Sequence, residues 1–273
     1  MYHFINSIWI TDKEAKISVF DLAVLRGFGV FDFLRTYNRQ PFLLNEHLDR
    51  FFNSIKILGL KPKYSKLKIK NIITEGIKRN PPSELSIRII QTGGVSQDAI
   101  TPSRPNFMVL FKKAVNYPKK YYTEGIKLIT TEFSRVLPEA KTLNYTAGVI
   151  ALEKARKQGA VEALYTDKNY LYECVTSNFF AVIDNILITP KDNILIGTVR
   201  NLVLKIAQRL NIKHKQTPIK TADIKRFQEA FITASNKEIM PVVQIDGIKI
   251  GKGKPGKITK ILINEYKTIT QTA

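Results

Sequence analysis

The chain has 273 residues, 44% of them apolar, and a formal net charge of +20. This length allows a sizeable hydrophobic core and predicts one or two domains. The sequence contains no run of about 18 apolar residues, so a membrane span is not expected.

The single cysteine and the first residues indicate the compartment. Cys174 has no second cysteine to pair with, which excludes an intramolecular disulfide and fits a reducing cytoplasm. Residues 1–6 lack the basic and then apolar plan of a signal peptide. We therefore expect a cytoplasmic protein, and no metal site is predicted.

The excess of positive charge raises the question of nucleic-acid binding. The lysines are spread along the chain, with dense groups at residues 61–78 and 249–260. No recognisable nucleic-acid-binding module accompanies them. A solvated, lysine-rich surface is therefore the preferred interpretation, and incidental polyanion binding at low salt stays open.

The first 115 residues predict a small domain of interleaved strands and helices. A hairpin with its turn at Asn6-Ser7 is predicted over residues 1–10, and further strands at residues 34–37, 41–44, 85–91 and 106–111. Apolar residues at helical spacing predict one helix around residues 48–58, stopped by Gly59, and a second around residues 69–77. Residues 92–105 show no periodicity and predict a long loop, which in compact domains is often functional.

Residues 116–125 are predicted as a linker, and residues 126–273 as a large C-terminal domain. Strands are predicted at residues 126–131, 163–166, 170–173, 179–183, 186–188, 212–214 and 231–234. Helices are predicted at residues 145–158, 198–210 and 257–270, with a tight turn at Asp246-Gly247. Strands and helices do not alternate strictly, which favours an α+β fold in two domains.

Three features of the second half suggest one kind of chemistry. Lys141 heads the run Lys-Thr-Leu-Asn-Tyr at the start of an apolar helical pattern, Glu173 ends a predicted strand, and Gly197-Thr198 opens a helix. A lysine amine can form a Schiff base, a carboxylate can pair with a pyridinium nitrogen, and a helix N-terminus can hold a phosphate. These are the three things that pyridoxal phosphate requires of a protein.

At this point the sequence resembles the pyridoxal-phosphate-dependent transaminases of fold type IV. These are the branched-chain aminotransferases, the D-amino-acid aminotransferases and the aminodeoxychorismate lyases. The resemblance covers nearly the whole chain and is carried by six runs in order, at residues 21–22, 26–32, 47–50, 141–145, 173–180 and 231–236. It implies a two-domain α+β fold of type IV, a homodimer, and exchange of an amino group between an amino acid and a 2-oxo acid such as 2-oxoglutarate.

The resemblance also implies roles for individual residues. Lys141 would be the catalytic lysine. The cofactor would be bound by Arg50, Tyr145, Glu173, Asn178, Thr198, Val199 and Ser235. Gly197-Thr198-Val199-Arg200 departs from the family's Gly-Ile-Thr-Arg, because the threonine is displaced by one position. Taken singly, each of these residues could instead be structural: a surface lysine, a strand-end carboxylate or a helix-capping glycine.

The substrate pocket is where the subfamilies differ. Arg26 and Arg88 would suit a carboxylate, with Phe31 in the same pocket, and favour D-amino acids as substrates. Arg35 matches an arginine of the branched-chain enzymes and supports the alternative, L-branched-chain amino acids with glutamate. Aminodeoxychorismate lyases carry a threonine where Phe33 stands, so a lyase is the third interpretation. A non-enzymatic binder of nucleic acid is the interpretation from another class of protein.

Overall fold

The computed structural model describes residues 1–272, which divide into two compact units. Unit 1 comprises Met1–Val115 together with Ala140–Tyr145, and unit 2 comprises Asn116–Glu139 together with residues 146–272. The short insertion of residues 140–145 into unit 1 is absent from the predicted division at 1–115, 116–125 and 126–273. That predicted division stays a prediction.

Unit 1 is built on a six-stranded sheet with the order β2-β1-β6-β5-β3-β4. Its strands are β1 (Tyr2–Ile5), β2 (Ile8–Thr11), β3 (Gly29–Tyr37), β4 (Gln40–Pro41), β5 (Leu85–Thr92) and β6 (Phe107–Lys113). Every pairing in this sheet is antiparallel. Asn6 and Ser7 adopt φ angles of 46° and 83° at the first hairpin, as the sequence predicts for a tight two-residue turn.

Three helices accompany this sheet: α1 (Leu22–Arg26), α2 (Leu44–Ile57) and α3 (Lys66–Arg79). Leu48, Phe51 and Ile55 recur at helical spacing on α2 and are at most 1% exposed. They belong to the same core cluster as Ile87 and Val109 of the sheet. Burial of this apolar stripe stabilises the packing of α2 against β3.

Unit 2 contains a ten-stranded sheet with the order β12-β11-β10-β14-β15-β7-β8-β9-β13, and β16 pairs with β15. The strands are β7 (Ile126–Glu132), β8 (Glu162–Thr166), β9 (Tyr170–Cys174), β10 (Asn178–Ile183), β11 (Ile186–Thr189), β12 (His214–Gln216), β13 (Ile219–Lys220), β14 (Glu229–Ala234), β15 (Glu238–Ile245) and β16 (Ile248–Lys249). A further pairing of β9 with β10 closes six of these strands into a ring.

The helices of unit 2 are α4 (Lys120–Thr123), α5 (Thr146–Lys157), α6 (Thr198–Arg209) and α7 (Lys257–Gln271), and Thr221–Arg226 forms a 3₁₀ turn. Helix α4 lies inside the segment that the sequence predicts as a linker. Within residues 1–272, no helix combines the length and the apolar character that crossing a bilayer requires.

Strand β15 is the main element that the sequence does not predict. Pro241 lies inside it and has no N–H for a ladder hydrogen bond, which argues against an interior strand. In the structure Pro241 lies opposite Phe231 of β14, and pairing with β7 begins one residue later, at Val242. The strand predicted at residues 41–44 is shorter and earlier in the structure, because β4 covers only Gln40–Pro41 and α2 already begins at Leu44.

Candidate active site

Lys141 lies on an extended segment that pairs with β3, a few residues before the helix that the sequence predicts at residues 145–158 and the structure has at Thr146–Lys157. Its carbonyl accepts from the Phe31 N–H at 2.9 Å, and its N–H donates to Ser54 Oγ at 3.0 Å. Val30 and Thr142 form an antiparallel bridge beside it. Helix α5 begins only at Thr146. Both main-chain polar groups of Lys141, its N–H and its carbonyl, are therefore hydrogen-bonded within unit 1.

Gly29 allows this segment to approach the sheet. The N–H of Leu143 donates to the Gly29 carbonyl at 2.9 Å. A Cβ at Gly29 would lie 2.7 Å from Leu143 Cδ1 and 2.7 Å from the Gln91 carbonyl oxygen. Both distances are too short for any side chain, so glycine is required where the segment bearing the lysine meets β3.

The ring of Phe31 lies among three other residues to which the sequence assigns a role. The amine Nζ of Lys141 lies 4.6 Å from the ring centroid, and the Arg88 guanidinium lies 5.6 Å from it. Tyr145 meets the same ring edge to face, at 5.6 Å between centroids. A cation over an aromatic face is stabilised by the ring quadrupole, so the Phe31 ring is a shared contact of the Lys141 and Arg88 side chains.

Arg50 is anchored by a carboxylate that the sequence analysis leaves without a role. Its Nε and Nη2 each lie 2.8 Å from an oxygen of Asp32, and His47 Nδ1 lies 2.6 Å from Oδ1 of the same carboxylate. Burial alone would raise the pKa of Asp32, but the Arg50 and His47 charges outweigh it and hold that pKa below its usual range. Burial lowers the pKa of His47, and Asp32 opposes this only in part.

A row of polar side chains crosses three strands of unit 2. Glu173 of β9 pairs with Asn178 of β10, which in turn pairs with Thr233 of β14. Directly opposed residues point to the same face of a sheet. Glu173 and Asn178 are each 5% exposed and Thr233 is 2% exposed. The Thr233 hydroxyl has no hydrogen-bond partner among the described residues, so the row includes a buried polar group available to a ligand.

Glu173 is held in an ion pair that sequence reasoning missed. Arg135 Nη1 lies 3.0 Å from Glu173 Oε1, and the Leu195 N–H donates to the same oxygen at 3.0 Å. Asn178 Nδ2 lies 3.4 Å from Glu173 Oε2 and donates to the Leu195 carbonyl at 2.7 Å. Arg135 lies in a segment without periodicity, so nothing local in the sequence could have revealed its partner.

The N-terminus of α6 lies beside this row. Gly197 is the N-cap residue of α6, with no side-chain cap. A Cβ on Gly197 would lie 1.9 Å from Asn178 Oδ1, so only glycine allows the helix to begin there. Thr198 and Val199 are the first two helical residues and are 6% and 2% exposed. A helix N-terminus carries partial positive charge and attracts anions.

Ser235 and the remaining arginines occupy different surroundings. Ser235 follows β14 by one residue and is half-buried. Arg26 ends α1, is exposed, and donates to the carbonyl of Leu25 at 2.8 Å. Arg35 is 7% exposed on β3, with its guanidinium 4.7 Å from the ring of Tyr37. The Phe31 ring thus has Arg88 over it, whereas the Arg35 guanidinium lies over Tyr37.

Cys174 and possible metal ligands need only a short account. Cys174 is buried, and burial, together with the charge of Glu162, raises the pKa of its thiol well above the usual value. Among residues 1–272, no three side chains of histidine, cysteine, aspartate or glutamate are grouped so that they could hold a metal ion.

Comparison with known proteins decides the family. Residues 29–245 match the model of the amino-transferase class IV family. The chain is a class IV aminotransferase. Among curated relatives, a protein provisionally named branched-chain-amino-acid aminotransferase from Methanocaldococcus jannaschii is 33% identical over 97% of this chain and 95% of its own length. The D-alanine aminotransferase of Staphylococcus aureus strain N315 is 31% identical over 95% of this chain and 94% of its own length.

Solved structures of the same family share the fold of this class IV aminotransferase. The T.th. branched-chain amino acid aminotransferase, solved with pyridoxamine 5′-phosphate, matches with a TM-score of 0.92 and 27% identity over 99% of this chain and 94% of its own. The Escherichia coli branched-chain enzyme gives a TM-score of 0.94 at 24% identity, over 99% of this chain and 95% of its own. The predicted α+β fold of type IV is confirmed.

Proposed function

We propose that this class IV aminotransferase uses pyridoxal phosphate to exchange an amino group between an amino acid and a 2-oxo acid. The observation that carries the proposal is the anchoring of Lys141, whose N–H and carbonyl are both hydrogen-bonded within unit 1. This leaves its amine over the Phe31 ring. When bound, pyridoxal phosphate supplies an electron sink for the negative charge that develops at the α-carbon of an amino acid.

The chain's own residues fit that cofactor. The Glu173 carboxylate, buried and paired with Arg135, suits the N–H of a protonated pyridine ring. The N-terminus of α6 and the Arg50 guanidinium suit a phosphate, since one offers backbone N–H groups and the other a planar fork of donors. The buried Thr233 hydroxyl, without a partner among residues 1–272, supports a polar ligand on this face of unit 2.

Lys141 would serve both to attach the cofactor and to move a proton. With the cofactor bound, Lys141 Nζ would be the base that takes the proton from the substrate α-carbon. Arg88 lies over the same Phe31 ring and would be placed to bind a carboxylate of the substrate. Asp32 and His47 would keep the Arg50 fork oriented.

For the substrate we propose D-amino acids, with Arg88 binding a carboxylate and 2-oxoglutarate as the amino acceptor. Support comes from the Phe31 ring, which both the Arg88 guanidinium and Lys141 Nζ contact, and from the name of the S. aureus relative. The alternative is an L-branched-chain aminotransferase. It is favoured by the burial of Arg35 on the strand that also carries Phe31 and by the name of the M. jannaschii relative.

We further propose a homodimer in the cytoplasm. Val149 and Ile150 of α5 are 64% and 67% exposed. Adjacent exposed apolar side chains are a common feature of surfaces that associate. Size-exclusion chromatography with light scattering would give the mass in solution, and a species of 31.1 kDa would overturn the dimer.

The assignment of Lys141 is tested by borohydride reduction of the cofactor-loaded protein followed by peptide mapping. We expect the pyridoxyl label on Lys141 and none in Lys141→Ala. The matched control is Lys154→Ala, since Lys154 lies on α5 and is exposed. A label on another lysine of the wild type would overturn the assignment.

A further inference from the structure

A buried ion pair of unit 2 lies outside the residues assigned so far. Lys237 and Glu162 are 4% and 0% exposed, and Lys237 Nζ lies 2.9 Å from Glu162 Oε1. Glu162 begins β8, and Lys237 lies in the turn between β14 and β15. Removing two charges from water is costly, and an apolar pair of similar volume is often as stable. Stability alone therefore does not explain this pair.

The pair holds the turn between β9 and β10 from two sides. Ser177 Oγ donates to Glu162 Oε1 at 3.1 Å, and the Thr176 hydroxyl donates to the same oxygen. Lys237 Nζ donates to Thr176 Oγ1 at 2.6 Å. Thr176 and Ser177 are thus tied to the ion pair through their side chains.

That turn sets the geometry of the polar row. Glu173 and Asn178 flank it and face each other across the β9–β10 pairing. The N–H of Cys174 donates to the Ser177 carbonyl at 2.7 Å, which closes the turn. A shift of the Ser177 main chain would therefore move the strand on which the Glu173 carboxylate is carried.

We propose that Glu162 and Lys237 are positioning residues that hold the Glu173 carboxylate in register with Asn178. This inference rests on the proposed function, in which Glu173 accepts the pyridine N–H. The same ion pair also restrains the turn between β14 and β15, because Ser235 and Lys237 both lie in that turn. An apolar side chain at position 237 would lose both the Glu162 ion pair and the Thr176 hydrogen bond.

The charge state of Lys237 is consistent with this role. Burial would lower the pKa of its amine, but the Glu162 carboxylate outweighs burial and raises that pKa above the usual value. Lys237 is therefore an ammonium group at neutral pH. It is not nucleophilic, so it does not compete with Lys141 for an aldehyde.

The first experiment compares Glu162→Gln and Lys237→Met with the wild type in the full-length, cofactor-loaded protein. We expect kcat to fall tenfold to about a hundredfold with a smaller change in KM, since misplacing a reacting group by about 1 Å has that effect. We also expect the pH titration of the cofactor's visible absorption band to shift.

The matched control is Ile224→Ala, which opens the buried core of the 3₁₀ turn. It should lower the melting temperature and leave that titration unchanged. An unchanged titration in both ion-pair variants would overturn the inference.

The second experiment asks whether the pair acts through Glu173. Glu162→Gln is introduced into wild type and into Glu173→Gln, and kcat is compared. Residues that act together give non-additive losses, so we expect Glu162→Gln to have little further effect once Glu173 is changed. Additive losses would overturn the inference. Should Glu162→Gln fail to fold, Ser177→Ala removes one hydrogen bond of the same turn and must show the same non-additivity.

The two failures can be told apart. If Glu173→Gln lowers kcat and Glu162→Gln does not, the positioning role of Glu162 and Lys237 is overturned and the proposed function stays intact. Wild-type kinetics of Glu173→Gln itself overturn the ring-binding role of Glu173 and this inference with it.

Discussion

Arg50 of α2 and Asp32 of β3 form a two-point ion pair, with Nε and Nη2 each 2.8 Å from a different carboxylate oxygen. The Asp32 carboxylate is fully buried, and the side chain of Arg50 is 12% exposed. A bidentate pair fixes the plane of the guanidinium as well as its distance. The orientation of the Arg50 guanidinium is therefore set by Asp32.

Replacing Asp32 by asparagine should therefore weaken both the fold and cofactor binding. Asparagine keeps the shape and removes the charge, which leaves Arg50 partly buried without its counter-ion. We expect the free energy of unfolding of the cofactor-free protein to fall by about 3 kcal/mol. The matched control is Asp184→Asn, whose ion pair with Arg226 at 3.3 Å is exposed and should contribute at most about 1 kcal/mol. Urea unfolding measures both, and equal losses would contradict the prediction.

Acid should destabilise the protein through the same cluster. The pKa of Asp32 is lower in the folded protein than in the unfolded chain, so the unfolded chain binds a proton there more readily. Ionised Asp32 therefore stabilises the fold above about pH 4, and this stabilisation is lost as the pH falls further. His47 also has a lowered pKa. In the unfolded chain His47 binds a proton below about pH 6.5. Because the folded protein binds that proton less readily, His47 also lowers the free energy of unfolding as the pH falls. We expect the free energy of unfolding to decrease in two stages between about pH 7 and about pH 3. In Asp32→Asn the loss of stability at the more acidic stage should be smaller. An unchanged loss at that stage would contradict the role of Asp32 in acid destabilisation.

Gly197→Ala should disturb the polar row directly. The new methyl group would lie 1.9 Å from Asn178 Oδ1 and would displace the amide that links Glu173 to the Leu195 carbonyl. We expect weaker pyridoxal phosphate binding by about tenfold or more, corresponding to about 1.4 kcal/mol. Gly159→Ala is the control, because a Cβ there meets nothing within 4 Å and only the φ of +69° is strained. It should cost about 1 kcal/mol of stability with unchanged cofactor affinity, measured by absorbance titration.

The arginine variants should separate the two substrate classes. If Arg88 binds a substrate carboxylate, Arg88→Leu should lower kcat/KM for D-alanine and D-glutamate about ten- to a hundredfold, since a charged hydrogen bond contributes about 1.5–3 kcal/mol. Arg26→Leu should have the smaller effect, because the Arg26 guanidinium donates to the neighbouring Leu25 carbonyl, whereas Arg88 lies over the ring that Lys141 also contacts.

For a branched-chain enzyme, Arg35→Leu should instead impair L-glutamate selectively and leave L-leucine turnover intact. Steady-state kinetics of the three variants with these four amino acids distinguishes the two substrate classes. Strong L-leucine activity of the wild type without turnover of any D-amino acid would remove the D-amino-acid proposal.

The sequence by itself determined the local elements of this protein. The hairpin turn at Asn6-Ser7 and the turn at Asp246-Gly247 both have positive φ angles, which their residue types favour. The apolar repeats of α2 and α3 are local as well, and they locate these helices within a few residues. The spaced runs around Lys141 and Glu173 carried the resemblance to the family that the comparisons show.

Only the tertiary structure decided which side chains meet. Lys141 pairs with β3, which lies far from it in the sequence, and Arg135, Thr233 and Lys237 lie beside residues of other strands. Strand pairing depends on contacts between distant segments, and a local pattern of apolar residues specifies the face of a strand but not its neighbour. The residues that orient Arg50 and Glu173 therefore become visible only when the sheets are assembled.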